Sequence, residues 1–307
     1  MKKLNIFLGS ILVTGTAFLL TSCAGAGGYG LDINSLTTMV NKGKRALAAA
    51  EGLTPEQEYY LGRGVAARII TNYPPYGSPG SNINQYVNEV GQTLVSFSDM
   101  PYTFKGYHFM VLNSNELNAF ATPSGFVFVT KGLVKRMPDE DALAAVLAHE
   151  IAHVVEGHGV GAVETQILTD IVTEVGLEVA KETSGGVTQA ILQNTETFGL
   201  AIDDMAENLL VKGYSRSQEY DADEYAAELM VRAGYNPMGL VEMLKAIESV
   251  EKASERKSGL METHPSATDR LGEVMDLREI EARQEQVKPD SGQVARAKRF
   301  KSRASIG

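Results

Sequence analysis

The residues best suited to chemistry lie in one short stretch, His149-Glu150-Ile151-Ala152-His153. Two histidines four positions apart share one face of a helix, so both imidazoles can bind one metal ion. Glu150 lies near that face and can take a proton from a water molecule without being a ligand. The spacing predicts a zinc site in which Glu150 activates water for attack on a carbonyl group.

The same stretch has an ordinary explanation, in which two helix-face histidines stand beside a surface glutamate. Residues 142–148, just before it, are all apolar, so a helix here would lie in the core. Buried histidines need polar partners, and a metal ion would supply one. His158 should point to another side of the helix, and it is expected to be a surface or capping residue rather than a ligand.

A catalytic zinc site needs a third protein ligand and an open fourth position for water. Metzincins take a histidine six residues past the second histidine, with a glycine three residues past it. Glu156 and Gly159 stand at those places, so that class is excluded. Gluzincins take a glutamate from a later helix, followed four residues on by an acid, and Glu219 and Asp223 have this spacing.

Glu219 would complete a site of two histidines and one glutamate. Asp223 would accept a hydrogen bond from the non-ligating nitrogen of a zinc histidine. Both lie on one face of a helix predicted to begin at Ser215. Asp221 and Glu224 lie in the same stretch, so an ordinary acidic helix fits the spacing equally well.

The elements that must position these residues predict an α+β fold that is mainly α-helical. A first helix begins at Thr54, where Pro55 and Gln57 complete a capping box, and a second covers residues 83–97. β-forming residues predict a small antiparallel sheet at about 107–130, with strands 107–113, 117–120 and 125–130. Further helices are predicted at 142–158, 160–183, 187–212, 215–233, 237–257 and 266–285. The basic tail, 286–307, is predicted to be frayed or disordered.

The first residues have the anatomy of a signal peptide. Two lysines precede an apolar run at residues 6–20, which is too short to span a bilayer. The sequence that ends at Cys23 resembles the bacterial lipobox, which implies lipidation of Cys23 and an anchor in the cell envelope. Ala24 after it favours the outer membrane. A plain signal peptide with a chance cysteine is the alternative; residues 1–22 would be the leader and 23–53 a tether.

Composition narrows the possible functions. The chain has 307 residues, 44% of them hydrophobic, which is enough for one large domain, placed here at residues 54–285. The net charge of −10 argues against a general nucleic-acid binder, which needs a basic surface. No apolar run of transmembrane length follows the first 22 residues. The main contact with a membrane would therefore be the lipid on Cys23.

Three motifs together resemble the HtpX-like family of zinc peptidases, which includes the membrane CAAX prenyl proteases and soluble periplasmic quality-control proteases. The resemblance spans residues 55–278. The residues that carry it are Asn118, Phe120, Gly125, Val127, Val129, Thr130, Gly132 and Leu133, then His149, Glu150 and His153, then Ser215, Arg216, Glu219, Ala222 and Asp223.

This resemblance implies a zincin-like metalloprotease domain that holds one Zn²⁺ per chain, with Glu219 as the third ligand beside His149 and His153. It implies a periplasm-facing endopeptidase whose substrates are misfolded or unassembled envelope proteins. The chain departs from the prenyl proteases because it has no predicted membrane helices, which argues against prenylated substrates.

His264 belongs to a further match, a His-Pro loop beyond the third ligand. In the family this loop can approach the metal, which implies that His264 occupies or guards the open zinc position or stabilises the oxyanion. The alternative is that it only caps the helix that begins near Ser266. Arg270 is expected to form a structural ion pair.

Strand 125–130 is the predicted substrate-binding edge, where Gly125, Phe126, Val127 and Phe128 would pair with an extended peptide. A rival function is an assembly factor or chaperone with a zinc site and latent proteolysis. The presence of Glu150 favours the enzyme. A purely structural zinc site fits less well, because such sites are closed by four protein ligands.

Overall fold

The computed structural model describes residues 53–78, 81–161, 195–252, 264, 266–284 and 290–304. The predicted signal peptide, Cys23 and nearly all of the tether lie outside the described residues. So do most of the predicted helix at 160–183 and the first part of that at 187–212. Among the helices of the described part, none combines the length and apolar character needed to cross a membrane.

The described elements are mainly helical, with one small sheet, which confirms the predicted fold class. In chain order they are α1 (Pro55–Asn72), α2 (Asn82–Val95), β1 (His108–Leu112), β2 (Ala119–Thr122), β3 (Phe126–Thr130), α3 (Lys131–Arg136), α4 (Glu140–Val155), α5 (His158–Gly161), α6 (Thr195–Glu207), a π-helical turn (Asn208–Lys212), α7 (Arg216–Arg232), α8 (Met238–Glu251), α9 (Ala267–Met275), α10 (Arg278–Gln284) and α11 (Ser291–Arg303).

Helix α1 begins where the sequence predicts. The Gln57 backbone N–H donates to Thr54 Oγ1 at 3.3 Å, and the Thr54 N–H donates to Gln57 Oε1 at 2.8 Å. This reciprocal pair satisfies two backbone donors at the helix N-terminus. The cap fixes the point at which the chain enters the first buried helix.

The sheet has the strand order β1-β3-β2, so β3 lies at its centre. Strand β2 pairs with β3 in antiparallel fashion, as predicted, but β1 pairs with β3 in parallel. The prediction of a purely antiparallel sheet was therefore wrong. The chain crosses from β1 to the far edge, forms β2, and returns through a tight turn into the gap between them. Alternation of side chains along a strand does not reveal this order.

The central position of β3 also overturns the predicted substrate-binding edge. Residues 126–130 pair with β1 on one side, and residues 126–129 pair with β2 on the other. The backbone groups of Phe126, Val127 and Phe128 are thus engaged inside the sheet, and Gly125 belongs to the turn that leads into it. Among the described residues, β2 has no strand partner on its outer edge.

Helix α4 lies at the centre of the core that the described residues form. Every residue from Glu140 to Val154 is buried, including both histidines and the glutamate between them. One face of the sheet packs with α4, α2, α7 and α8 in the main core, and the other face packs with α1 and α6 in a second cluster. Burial on all sides holds α4 rigidly, and a rigid element suits precise placement of side chains.

The C-terminal segment differs from its prediction. The segment expected to be frayed or disordered contains α11, which begins with a capping box between Asp290 and Gln293. Phe300 is buried, with its ring centroid 6.4 Å from that of Tyr86. The basic composition suggested a solvated tail, but three arginines of this helix pair with acids far away in the sequence. The pairs are Arg296 with Asp141, Arg299 with Glu140 and Arg303 with Glu89.

Candidate metal centre

Two helices that pack against each other bring the predicted site residues together. Helix α4 carries His149, Glu150 and His153, and α7 carries Glu219 in its first turn and Asp223 one turn later. Both helices contribute small residues to the core that they share, namely Ala145, Ala148, Ala152, Ala222 and Ala226, all fully buried. A reciprocal cap between Ser215 and Gln218 fixes the start of α7, and therefore the position of Glu219.

Four side chains converge at one point. His149, His153, Glu219 and His264 each offer a nitrogen or oxygen ligand atom, and these atoms all lie within 4.8 Å of one another. The Nε2 atoms of His149 and His153 are 3.1 Å apart. They lie 3.5 Å and 3.4 Å from the Oε2 and Oε1 atoms of Glu219, respectively.

This group fits a divalent metal. Within it, the two imidazoles of His149 and His153 and the carboxylate of Glu219 are a donor set typical of catalytic zinc, and His264 lies beside the remaining position. Glu150 Oε2 and Glu219 Oε2 are buried, and neither has a hydrogen-bond partner in the described part of the chain. Arg270 Nη1 does lie 2.9 Å from Glu219 Oε2, an ion-pair contact without hydrogen-bond geometry. Buried carboxylate oxygens need such compensation, and a cation beside them would add to it.

The first histidine has a charged partner on its other side. Asp223 Oδ1 lies 3.0 Å from His149 Nδ1, the contact expected of a residue that orients a metal-binding imidazole. Arg270 holds Asp223 in turn, with Nε donating to Oδ2 at 2.8 Å and Nη2 to Oδ1 at 2.5 Å. Arg270 is 1% exposed and contacts both Glu219 and Asp223, as expected for an ion-pair residue.

Burial and charge shift the pKa values of the site. Desolvation lowers the pKa of His153 to about 3, which keeps this imidazole in the neutral form that binds metals. Desolvation and Arg270 also act to lower the pKa of His149, but its contacts with the carboxylates of Asp223 and Glu219 prevail and raise it to about 9.

The two glutamates are shifted in opposite directions. Burial acts to raise the pKa of Glu219, but the neighbouring His264, Arg270 and His149 hold it well below its usual range. Burial raises the pKa of Glu150 despite the same neighbours. A carboxylate with a raised pKa is suited to taking and returning a proton near neutral pH.

His158 and Tyr214 also contact the site, and the sequence did not indicate either. His158 was expected at the surface, yet it is buried with its Nδ1 2.8 Å from His153 Nδ1. The chain turns at Gly157, where φ is 67°, so helical spacing no longer applies to His158. The Tyr214 ring stacks on His153 at a centroid distance of 3.9 Å. The sequence signal that could have indicated Tyr214 is its position one residue before Ser215, which caps the helix that carries Glu219.

The site is enclosed. A cavity of about 10 Å³ is lined by His149, Glu150 and His264, which is room for about one water molecule. A second cavity, of about 30 Å³, is lined in part by His153. Both cavities are too small for a bound peptide.

Comparison with known proteins finds relatives of this chain. The chain is 27% identical to the β-barrel assembly-enhancing protease of Escherichia coli K12 over 233 residues, which is 74% of this chain and 45% of that protein. It is 24% identical to the metalloprotease YcaL of the same organism over 90% of this chain and 98% of YcaL. It is also 28% identical to the mitochondrial metalloendopeptidase OMA1 of Schizosaccharomyces pombe, over 71% of this chain and 58% of OMA1. The chain thus spans less than half the length of the first of these relatives.

A family model, Peptidase family M48, matches residues 81–278. The matched segment is more than half of the chain, and it contains the convergent group together with Glu150, Asp223 and Arg270. The chain therefore belongs to peptidase family M48, a family of metallopeptidases.

Proposed function

We propose that this chain is a zinc-dependent endopeptidase of the bacterial cell envelope. The observation that carries the proposal is the convergence of His149, His153 and Glu219 in the buried centre of the molecule, with Glu150 between the two histidines on the same helix. These three residues would hold one Zn²⁺ per chain. The zinc, when bound, would polarise the scissile carbonyl and lower the pKa of the attacking water.

Glu150 would act as the general base. It takes the proton from the attacking water and passes it to the leaving amine. The free Oε2 and the raised pKa of this carboxylate support the role. Asp223, held by Arg270, would keep the ring of His149 in one orientation and one tautomer.

His264 would act at the open position of the site. It is 6% exposed, and its Nδ1 lies 2.6 Å from Glu219 Oε1. We infer that it donates a hydrogen bond to the developing oxyanion, or closes the site when no substrate is bound. The cap of α9 is made by Ser266, whose Oγ accepts from the Thr268 N–H at 3.2 Å, so His264 is not needed for that purpose.

Substrate pairing is proposed for the outer edge of β2 rather than for β3. Ala121 and Thr122 of β2 line the cavity beside His153. An extended peptide added to this edge would be held by main-chain hydrogen bonds, which tolerate many sequences. Such tolerance suits misfolded or unassembled envelope proteins as substrates. The name of the β-barrel assembly-enhancing protease supports an envelope setting.

Anchoring is part of the same proposal. Cleavage before Cys23 and lipidation of its thiol would hold the domain at the periplasmic face of a membrane, which we place at the outer membrane. The tether of residues 23–53 would connect the lipid to the peptidase domain of residues 54–285. The C-terminal helix would pack back onto that domain through its arginines.

A second candidate function is an assembly factor or chaperone in which proteolysis is latent. The enclosed site favours it, because every proposed ligand and Glu150 are buried and the adjoining cavities hold no more than small groups. Both functions share the metal site. They differ in whether Glu150 is needed.

The test is zinc content and cleavage of an unfolded protein by the form lacking residues 1–23, beside Glu150→Gln. One zinc per chain in both, with cleavage only by the parent, is the expected result. One zinc in both with no cleavage by either would favour the latent or chaperone function. Absence of zinc from both would remove the basis of the proposal.

A further inference from the structure

The turn between β2 and β3 contains a residue in an unfavourable backbone conformation. The Gly125 N–H donates to the Thr122 carbonyl at 3.1 Å, which closes a four-residue turn with Pro123 and Ser124 at its centre. Ser124 has φ of 63°, and it is the one non-glycine residue with a positive φ in the described part of the chain. Glycine or asparagine normally takes this position of such a turn. Strain of this kind persists where surrounding structure holds it, and it clusters at functional sites.

The side chain of Ser124 is unusual as well. Ser124 is only 4% exposed, and its Oγ has no hydrogen-bond partner in the part of the chain that the structure describes. A buried hydroxyl without a partner is unfavourable. Ser124 therefore lowers stability through both its backbone and its hydroxyl. A ligand that accepts a hydrogen bond from Oγ would offset the second effect.

Ser124 lines the cavity of about 30 Å³ beside His153. The rest of the wall includes small residues, Ala121, Gly157 and Gly159. This volume is room for about two water-sized groups, which suits a side chain of no more than about two heavy atoms. Since His153 is a proposed zinc ligand, a substrate side chain in this cavity would belong to a residue beside the scissile bond.

Two further groups define the chemistry of the cavity. Glu58 also lines it, and no cation pairs with this carboxylate among the described residues, so an acidic substrate side chain would be repelled. Tyr214 Oη is buried and lacks a partner within the described ranges. It would lie 3.8 Å from a Cβ added at Gly159, so a second hydroxyl lies close to one residue of the wall.

We propose that this cavity is the subsite for a substrate residue that flanks the cleaved bond, and that it selects a small, uncharged side chain: glycine, alanine or serine. Ser124 Oγ donates a hydrogen bond to the bound segment, and Gly159 sets the width of the cavity. This subsite rests on the proposed endopeptidase activity and extends it to specificity.

Gly159 offers a clean way to narrow the cavity. A Cβ at this position would lie 3.5 Å from Pro123 Cδ and 3.7 Å from Pro123 Cγ, which are ordinary contacts, so alanine fits without a clash. Gly161 lies in the same short helix, and a Cβ there would meet nothing within 4 Å. Gly161→Ala is therefore a matched control for the change from glycine to alanine.

The first experiment digests denatured casein with the full-length chain in detergent and maps the cleaved bonds by mass spectrometry. Glycine, alanine and serine should be enriched at one position beside the cleaved bond. Gly159→Ala should reduce cleavage at alanine and serine relative to glycine by about 10-fold, whereas Gly161→Ala should keep the parent profile. An unenriched parent profile, or an unchanged one in Gly159→Ala, would refute the subsite while leaving the endopeptidase intact.

The second experiment has a readout independent of cleavage. Ser124→Gly should raise the Tm by about 2–4 °C, because glycine accepts the positive φ without strain. Its zinc content should stay at the parent level while KM for a casein-derived peptide rises. Ser124→Ala, which keeps the strained φ and lacks only the unpartnered hydroxyl, should show the higher KM with a smaller gain in Tm than Ser124→Gly.

These outcomes separate the two proposals. Unchanged KM in both Ser124 variants would overturn the role of the hydroxyl in substrate binding. A lower Tm in Ser124→Gly would assign the turn a packing role instead. No cleavage by the zinc-loaded parent would overturn the endopeptidase, and this subsite with it.

Discussion

His149 and His153 are both buried, yet their surroundings shift their pKa values in opposite directions. The Nδ1 atom of His153 faces His158, and desolvation lowers the pKa of His153. His149 instead contacts the carboxylates of Asp223 and Glu219, which raise its pKa. The metal-free protein therefore holds a proton on His149 at neutral pH that a metal ion must displace.

The raised pKa of His149 predicts how the stability of the metal-free protein depends on pH. The folded pKa is about 9 and the ordinary value is 6.5, so the folded state binds this proton more tightly than the unfolded state. The resulting stabilisation is complete below pH 6.5 and is lost as pH rises through 9. Urea unfolding of the chelated protein should show this decline, and His149→Gln should lack it. An equal decline in the variant would contradict the assignment.

A second prediction concerns Asp223, whose carboxylate contacts His149. Asp223→Asn should weaken zinc binding about 10- to 100-fold, because the amide cannot hold the imidazole as a charged acceptor does. The measurement is competition with a zinc chelator. Asp221→Asn, an exposed acid on the same helix, is the control and should bind zinc as the parent does. Equal affinities in the two variants would show that Asp223 does not tune the site.

Residues related by helical spacing were predictable, and residues related by folding were not. His149 and His153 lie four positions apart on one helix, and Glu219 and Asp223 repeat that relation on another, so periodicity alone grouped each pair. His158 reaches His153 only because α4 ends and the chain reverses at Gly157, a change that no periodic pattern encodes.

At the scale of elements, α11 ties the C-terminal segment to the N-terminus of the active-site helix. Glu140, the first residue of α4, is fully buried and accepts a hydrogen bond from Tyr86 Oη at 2.7 Å. Arg299 of α11 supplies its cation. Carboxylates at a helix N-terminus are favoured by the helix dipole, but a buried one also needs a counter-charge.

Removal of that cation should destabilise the protein. Arg299→Ala should lower the free energy of unfolding by about 2 kcal/mol, because the buried Glu140 loses its charged partner while the arginine itself is half exposed. Arg303→Ala removes a pair with the exposed Glu89 and should cost less than about 1 kcal/mol. Chemical denaturation measures both. An equal cost for the two variants would argue against a special role for the Glu140 pair.

The order of the strands and the C-terminal helix were not predicted correctly from the sequence. Strand positions followed from runs of β-forming residues, but the order β1-β3-β2 depends on which edge the chain crosses to. The helix at Ser291–Arg303 was missed because its basic residues were interpreted as a solvated, disordered tail. Their acids lie in α2 and α4, more than 150 residues away in sequence.

At the scale of the whole molecule, the core does not depend on the metal. The main hydrophobic cluster joins the sheet to α2, α4, α7 and α8, and a second cluster joins it to α1 and α6. A structural zinc site, by contrast, supplies the folding free energy of a small domain that lacks such a core. Core and metal centre share α4 and α7, but the apolar side chains that form the core are different residues from the proposed metal ligands.

Chelation should therefore weaken the fold without abolishing it. Removal of zinc should lower Tm, since a ligand bound only to the folded state stabilises it by mass action. The far-ultraviolet circular dichroism at 25 °C should remain that of a helical protein. Collapse of the helical signal on chelation would indicate a structural metal and contradict the catalytic assignment.

The most direct measurement of the central claim is anomalous diffraction at the zinc edge from crystals of the full-length chain. One peak is expected, at about 2.0–2.2 Å from Nε2 of His149, Nε2 of His153 and a carboxylate oxygen of Glu219, with Glu150 outside bonding distance. A chain without this peak, or a zinc bound directly by Glu150, would contradict a metallopeptidase centre in which Glu150 is the base.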